Sequence, residues 1–396
     1  MSPWHVFTTF LKLGLTAFGG PIAHLAYFQR SLVQEKRWLK DADYAQLVAL
    51  CQILPGPTSS QVGMALGLQQ AGIRGALAAW LGFTLPSILL LVTIAYGLSY
   101  FQANLPNGLL QGLAIAAVAI VIQALWSMSK NLCPDWSRRL IALGVALFAL
   151  WLSSAVWQLA LLALAGLFGL IWSSSSATNS TITRWQVKLT HRQVLVSLSM
   201  LILLLISLPL LANWQSNPLL SMIDHLFRTG SLVFGGGHVV LPLLYDGFQQ
   251  LGVSDELFLA GYGITQAMPG PLLSFAAFLG AVLPQTMLPL WLMAAIASVA
   301  IFLPSLLFVI IALPYWQNLM QSARWQQALW GINAGVVGLL LAALMNPIAL
   351  HTLHTAWDLL WLGLALALLA VFRWPLWAYV LLCALAGILL SSAMMV

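Results

Sequence analysis

The chain has 396 residues, 61% hydrophobic and only 6% charged, with 15 Lys and Arg against 9 Asp and Glu for a formal net charge of +6. Its mean hydropathy of +0.94 excludes an ordinary soluble domain. The basic residues are spread over loops, so the positive charge points to membrane topology and not to nucleic acid.

Many apolar runs reach the ~20 residues that one helical crossing needs. The fold class is therefore an all-α polytopic membrane protein, since the short alternating strands of a closed barrel are missing. The opening "MSPWHVFTTFLKLGL" carries no basic start or small-residue cleavage site and reads directly into the first apolar segment. About thirteen segments follow in order: 4–28, 43–70, 75–100, 109–129, 139–155, 156–172, 194–212, 219–245, 257–283, 287–313, 325–345, 356–372 and 375–393. Between the first two, "VQEKRWLKDADYAQL" (33–47) reads as an interfacial helix with Trp38 as an aromatic anchor. The polar run at 173–192 divides the chain. The expected organisation is a first repeat over 1–172, that linker, a connecting transmembrane helix over 193–213 and a second, inverted repeat over 214–396. Cys51, Cys133 and Cys383 share no metal or disulfide spacing and read as packing residues.

The repeat is visible residue by residue. Phe18, Gly19 and Gly20 fall on Phe234, Gly235 and Gly236, 216 positions on, and the same shift sets Lys12 on Arg228 and Gly14 on Gly230. "QILPGP" (52–57) then falls on "QAMPGP" (266–271), Ser60 on Ser274, and "LPS" (85–87) on "LPS" (303–305). If each half holds an even number of crossings, the extra segment at 194–212 turns the second half over. Inverted repeats are a common architecture of secondary transporters, with the substrate held between them near the midplane.

Glycine pairs and Pro-Gly-Pro break a helix, and irregular backbone at membrane depth survives only where it lines a cavity or is buried in protein. Four breaks are expected: Phe18 to Pro21, Pro55 to Pro57, Phe234 to Gly237, and Pro269 to Pro271, with Gln52 and Gln266 leading into the Pro-Gly-Pro pair. A new helix N-terminus suits an anion. Thr58, Ser59 and Ser60 can cap the first one and donate hydroxyls, whereas the matching "LLSF" keeps only Ser274. Lys12 and Arg228, at matched positions in apolar sequence, read either as anion attractors or as side chains that snorkel to the interface. His24 and His238 follow the breaks, as proton carriers or as hydrogen bonds that hold the broken backbone. His351 and His354 read as solvated loop residues, and Asp41 and Asp255 as caps of the helices leading to each Pro-Gly-Pro.

If every segment crosses fully, the loop with Arg30, Lys36, Arg37 and Lys40 lies opposite that with Lys130, Arg138 and Arg139, against the positive-inside tendency. Re-entrant hairpins at the breaks would put both loops on one face. Either way the N-terminus is expected in the cytoplasm and the C-terminus outside.

"FGGPIAHLAYF" (18–28), "QILPGPTSSQ" (52–61), "FGGGHVVLPLL" (234–244) and "QAMPGP" (266–271) together resemble the chromate ion transporter family in its full-length, two-domain form, over nearly the whole chain. The resemblance implies export across the cytoplasmic membrane of chromate, a sulfate-like tetrahedral dianion, coupled to a proton or to a counter-anion. No cofactor, metal or enzymatic activity is expected: the motifs of intramembrane proteases are missing, and "GYG" (261–263) occurs once, without the residues of a potassium filter. A passive anion channel, or a transporter of another small anion, is the alternative, and assembly as a homodimer stays open.

Overall fold

The computed structural model describes residues 1–100, 106, 108–152, 155–172, 189–215, 217–233, 240–284, 288–315, 322–371 and 375–394, and among them every regular element is helical. The second Phe-Gly-Gly break (Phe234, Gly235, Gly236, Gly237) and His238 lie outside the described residues, as does most of the 173–192 linker.

Helix α1 (Pro3–Thr16) starts where Ser2 accepts the His5 N–H and Pro3 occupies the first turn. It stops because Ala17 turns extended and Gly19 and Gly20 take left-handed φ of 98° and 79°. Helix α2 (Gly20–Phe28) runs on into a π-helical stretch, Gln29–Glu35. Helix α3 (Asp41–Ile53) ends at an extended Leu54, as a residue before proline prefers. Gly56 then takes φ 125° and α4 (Thr58–Tyr100) begins. α4 is two legs, not one rod, because Ala71 and Gly72 leave helical geometry. The legs lie so close that a Cβ on Gly67 would strike the Gly75 carbonyl.

Helices α5 (Leu109–Leu132), α6 (Trp136–Trp151) and α7 (Ala155–Trp172) complete the first half, and α8 (His191–Gln215) joins it to the second. The same order then recurs: α9 (Pro218–Leu232), α10 (Val240–Gln250), α11 (Asp255–Ala267), a 3-10 turn at Leu272–Ser274 with α12 (Phe275–Ala281), α13 (Leu290–Ala312), α14 (Ala323–Ala343), α15 (Ala356–Val371) and α16 (Leu376–Met394). Here too the residue before Pro-Gly-Pro, Met268, is extended, and Gly270 takes φ 94°. Among the described residues, five helices are long and apolar enough to cross a membrane: α4, α5, α8, α13 with its 3-10 end, and α14 with its π-helical end. The expected segments 4–28 and 43–70 are instead pairs of short helices on either side of a break. α1 packs chiefly on α4 and not on α2.

The halves interlock. The last helix of each packs against the other half, α7 on α14 and α16 on α5. Both contacts are made through glycine: a Cβ on Gly331 would meet the Ala165 carbonyl and Gly169, and one on Gly112 would meet the Cys383 carbonyl and Gly387. Close backbone approach through small residues is how helices associate in lipid, where no hydrophobic drive separates one apolar surface from another.

Three local expectations change. Trp38 is buried against Phe10, with ring centroids 6.3 Å apart, because the chain turns between the π-helical stretch and α3 and folds the indole inward. Asp41 and Asp255 are the first helical residues and not caps; Ser254 caps α11, and the two carboxylates instead accept from Gln29 (3.0 Å) and Tyr245 (2.5 Å). His351 is not merely solvated, since its Nδ1 lies 2.8 Å from Asp255 Oδ2. The three cysteines are free and buried.

Gly331→Leu should cost about 1–3 kcal/mol of stability through overpacking, whereas Gly363→Leu, with open space at its Cβ position, should change little. Thermal unfolding of the two purified variants in one detergent checks this.

Candidate functional site

The breaks find each other across the halves. A helix interrupted at membrane depth leaves N–H and C=O groups that lipid cannot satisfy. The Gly56 N–H, in the first Pro-Gly-Pro, donates to the carbonyl of Val233, the residue before Phe234 (2.5 Å). The Gly270 N–H, in the second, donates to the carbonyl of Ala17, the residue before Phe18 (2.9 Å). Ala17 and Val233 are matched positions, as are Gly56 and Gly270. The bonds are thus reciprocal, as in a contact made by a self-complementary surface.

The same reciprocity places the serines of the two "LPS" stretches. Ser87, on the second leg of α4, reaches the break of the second half, and Ser305, on α13, reaches that of the first. A Cβ on Gly270 would lie 2.9 Å from Ser87 Oγ, and one on Gly56 would lie 2.6 Å from Ser305 Oγ, so only glycine fits at either place. Ser87 Oγ and Ser274 Oγ are hydrogen-bonded at 2.9 Å. The matched hydroxyls of Ser305 and Ser60 are buried and have no hydrogen-bond partner.

Around the first break the polar groups are denser. Thr58, Ser59, Ser60 and Gln61 are all buried at the start of α4. Thr58 is the first helical residue and not a cap, because the helix opens with the Gln61 N–H on the Pro57 carbonyl (3.0 Å). Gln61 Nε2 donates to the Pro55 carbonyl at 2.5 Å, which leaves its Oε1 unpartnered. His24 is buried, with Nδ1 3.4 Å from Ser59 Oγ and its ring edge-on to Phe83 at 5.3 Å. The set therefore holds two uncommitted hydroxyls and one uncommitted amide oxygen beside a helix N-terminus. The large grooves of 750 and 580 Å³ lie elsewhere, along α6 and α7 and along α5 and α6, with almost wholly apolar walls.

A family model described as chromate transporter matches residues 4–170 and again 220–388, once in each half. The chain belongs to the chromate transporter family. The chromate transport protein of Pseudomonas aeruginosa is 29% identical over 350 residues, 86% of this chain and 80% of that protein. That of Cupriavidus metallidurans is 28% identical over 352 residues, 85% of this chain and 80% of the relative. A probable chromate transport protein of Synechococcus elongatus is 27% identical over 366 residues, 87% and 85% of the two chains. No solved structure matches the chain.

Within this chromate transporter family member, the other candidates divide. Phe18 and Pro21 are half-buried and Pro57, Pro269 and Pro271 are buried at the breaks, while Gln52 is exposed and its counterpart Gln266 is buried. Lys12 is exposed on α1. Arg228 is ion-paired with Asp224, one turn earlier on α9, and Asp224 is only 3% exposed. Sequence reasoning missed this carboxylate, although the spacing of four residues on a helix is a readable signal.

Arg228→Gln should therefore destabilise the fold by about 1–3 kcal/mol, the cost of leaving a buried acceptor unpaired. Adding Asp224→Asn should restore much of the loss, and Lys12→Gln should change stability by less than about 0.5 kcal/mol. Thermal midpoints of the four proteins decide it.

Proposed function

We propose that the protein is a secondary transporter that exports a tetrahedral oxyanion, chromate before sulfate, across the cytoplasmic membrane. The observation that carries the reading is the reciprocal pair of backbone bonds between matched positions of the two halves, Gly56 to Val233 and Gly270 to Ala17, which sets the two Pro-Gly-Pro interruptions, with Gly56 and Gly270 buried, against the ends of α9 and α1. Relatives named for chromate transport over more than four-fifths of this chain supply the substrate class.

In this reading the repeats, 1–172 and 214–396, lie inverted about an axis in the membrane plane, which the exchanged bonds Gly56 to Val233 and Gly270 to Ala17 support. The N-terminus is cytoplasmic and the C-terminus external. Rocking of one half against the other opens the breaks to each face in turn, and a proton or a counter-anion drives the cycle. His24, buried between the first break and Ser59, holds the broken backbone in this scheme.

Everted membrane vesicles containing the full chain should take up labelled chromate against an opposing chromate gradient when a pH gradient or a counter-anion is imposed. Downhill flux alone, under every gradient, would identify a passive channel. Gly56→Ala should lower the flux without loss of membrane insertion, since alanine tolerates neither φ 125° nor the nearness of Ser305.

A further inference from the structure

We propose that the oxyanion is held by the unpaired serine couple of the pseudo-symmetric arrangement, Ser60 at the start of α4 and Ser305 on α13, and that Ser87 and Ser274 form its closed counterpart. The inference rests on the oxyanion reading above and gives that substrate a place.

Two matched couples of hydroxyls stand at the breaks. One is satisfied: Ser87 and Ser274 bond each other at 2.9 Å, and Ser87 also donates to the Thr84 carbonyl at 2.9 Å. The other is not. Ser60 and Ser305 are 2% and 0% exposed, and neither hydroxyl has a partner. A buried hydroxyl without a hydrogen bond is unfavourable, and membrane interiors offer no water to relieve it. Ser305 Oγ stands over the Gly56 backbone, close to the point that a Cβ there would occupy, so it is directed at the break. The helix that begins beside it at Thr58 adds N–H groups and the positive end of its dipole. Two O–H donors at such an end suit a tetrahedral oxyanion.

Sequence explains why one couple is open and the other shut. The first leg of α4 opens with Thr58, Ser59, Ser60 and Gln61, whereas the matched residues are Leu272, Leu273, Ser274 and Phe275. Phe275, which stands where the first half has Gln61, packs into an aromatic cluster with Phe258, Tyr262 and Phe278. Ser305 itself lies in the second half, so the site is built across the repeats and needs both.

The test is equilibrium binding of labelled chromate and labelled sulfate to the purified full chain in lipid nanodiscs, with melting followed in parallel. Ser60→Ala and Ser305→Ala should each weaken binding about tenfold or more, with Ser298→Ala, a buried serine of α13 already bonded to the Ala294 carbonyl, within about twofold. Without anion, Ser60→Ala and Ser305→Ala should melt no lower than the unmodified protein, because each removes an unsatisfied group. With anion, the rise in melting temperature should be lost. A purely structural role predicts the reverse, lower melting without anion and unchanged affinity, and would overturn the proposal, as would failure of the unmodified protein to bind either oxyanion. Binding of sulfate but not of chromate would refute chromate as substrate and leave the serine comparison to be decided with sulfate.

Discussion

Everything at the centre of this protein follows from a rule of the bilayer: a backbone N–H or C=O at membrane depth must be satisfied by protein. Pro-Gly-Pro removes two donors and stops a helix, and Phe-Gly-Gly bends the chain away from helical geometry. Within its own half the first interruption finds partners for the Pro55 and Pro57 carbonyls in Gln61, but the glycine N–H of each Pro-Gly-Pro is met from the other half. Gly56 donates to Val233 and Gly270 to Ala17, so each break is completed by the other half. The halves are consequently not two domains that happen to touch. Any motion of one against the other must exchange these two bonds for something else.

Around that pair, the packing is held close by residues that lack side chains. Gly14 lies on the Phe83 carbonyl and its counterpart Gly230 on the Ile301 carbonyl, which brings α1 and α9 against α4 and α13. Gly331 and Gly112 do the same for the swapped terminal helices. In lipid this closeness is itself the source of attraction, through dispersion and weak backbone contacts. The frame is symmetric, and its chemistry is not: one break is followed by hydroxyls and an amide, the other by leucines and a phenylalanine.

Matched charge offers the clearest case of equal sequence position with unequal environment. Lys12 and Arg228 share a register, but the residue one turn earlier is Thr8 in the first half and Asp224 in the second. Arg228 is therefore neutralised by a partner on its own helix, and Lys12 is left exposed. In the proposed site the anion is held by hydroxyls and a helix end.

The duplication, the membrane class and the positions of three breaks were all legible in the residues, because glycine and proline act on the chain locally and hydropathy is additive along it. The asymmetry of "TSSQ" against "LLSF" was legible for the same reason. What the sequence could not contain was which break meets which. Ser305 belongs with Gly56, and Ser87 with Gly270, across separations of more than 180 residues, and nothing in either stretch states its partner. Nor could residue types reveal that one serine couple closes on itself while the other stays unpaired, since that depends on how helices from different halves are set against each other. Trp38 shows the same limit at shorter range: an indole beside charges reads as an anchor until a turn folds it onto Phe10. Local chemistry set the interruptions, and tertiary packing decided what each of them touches.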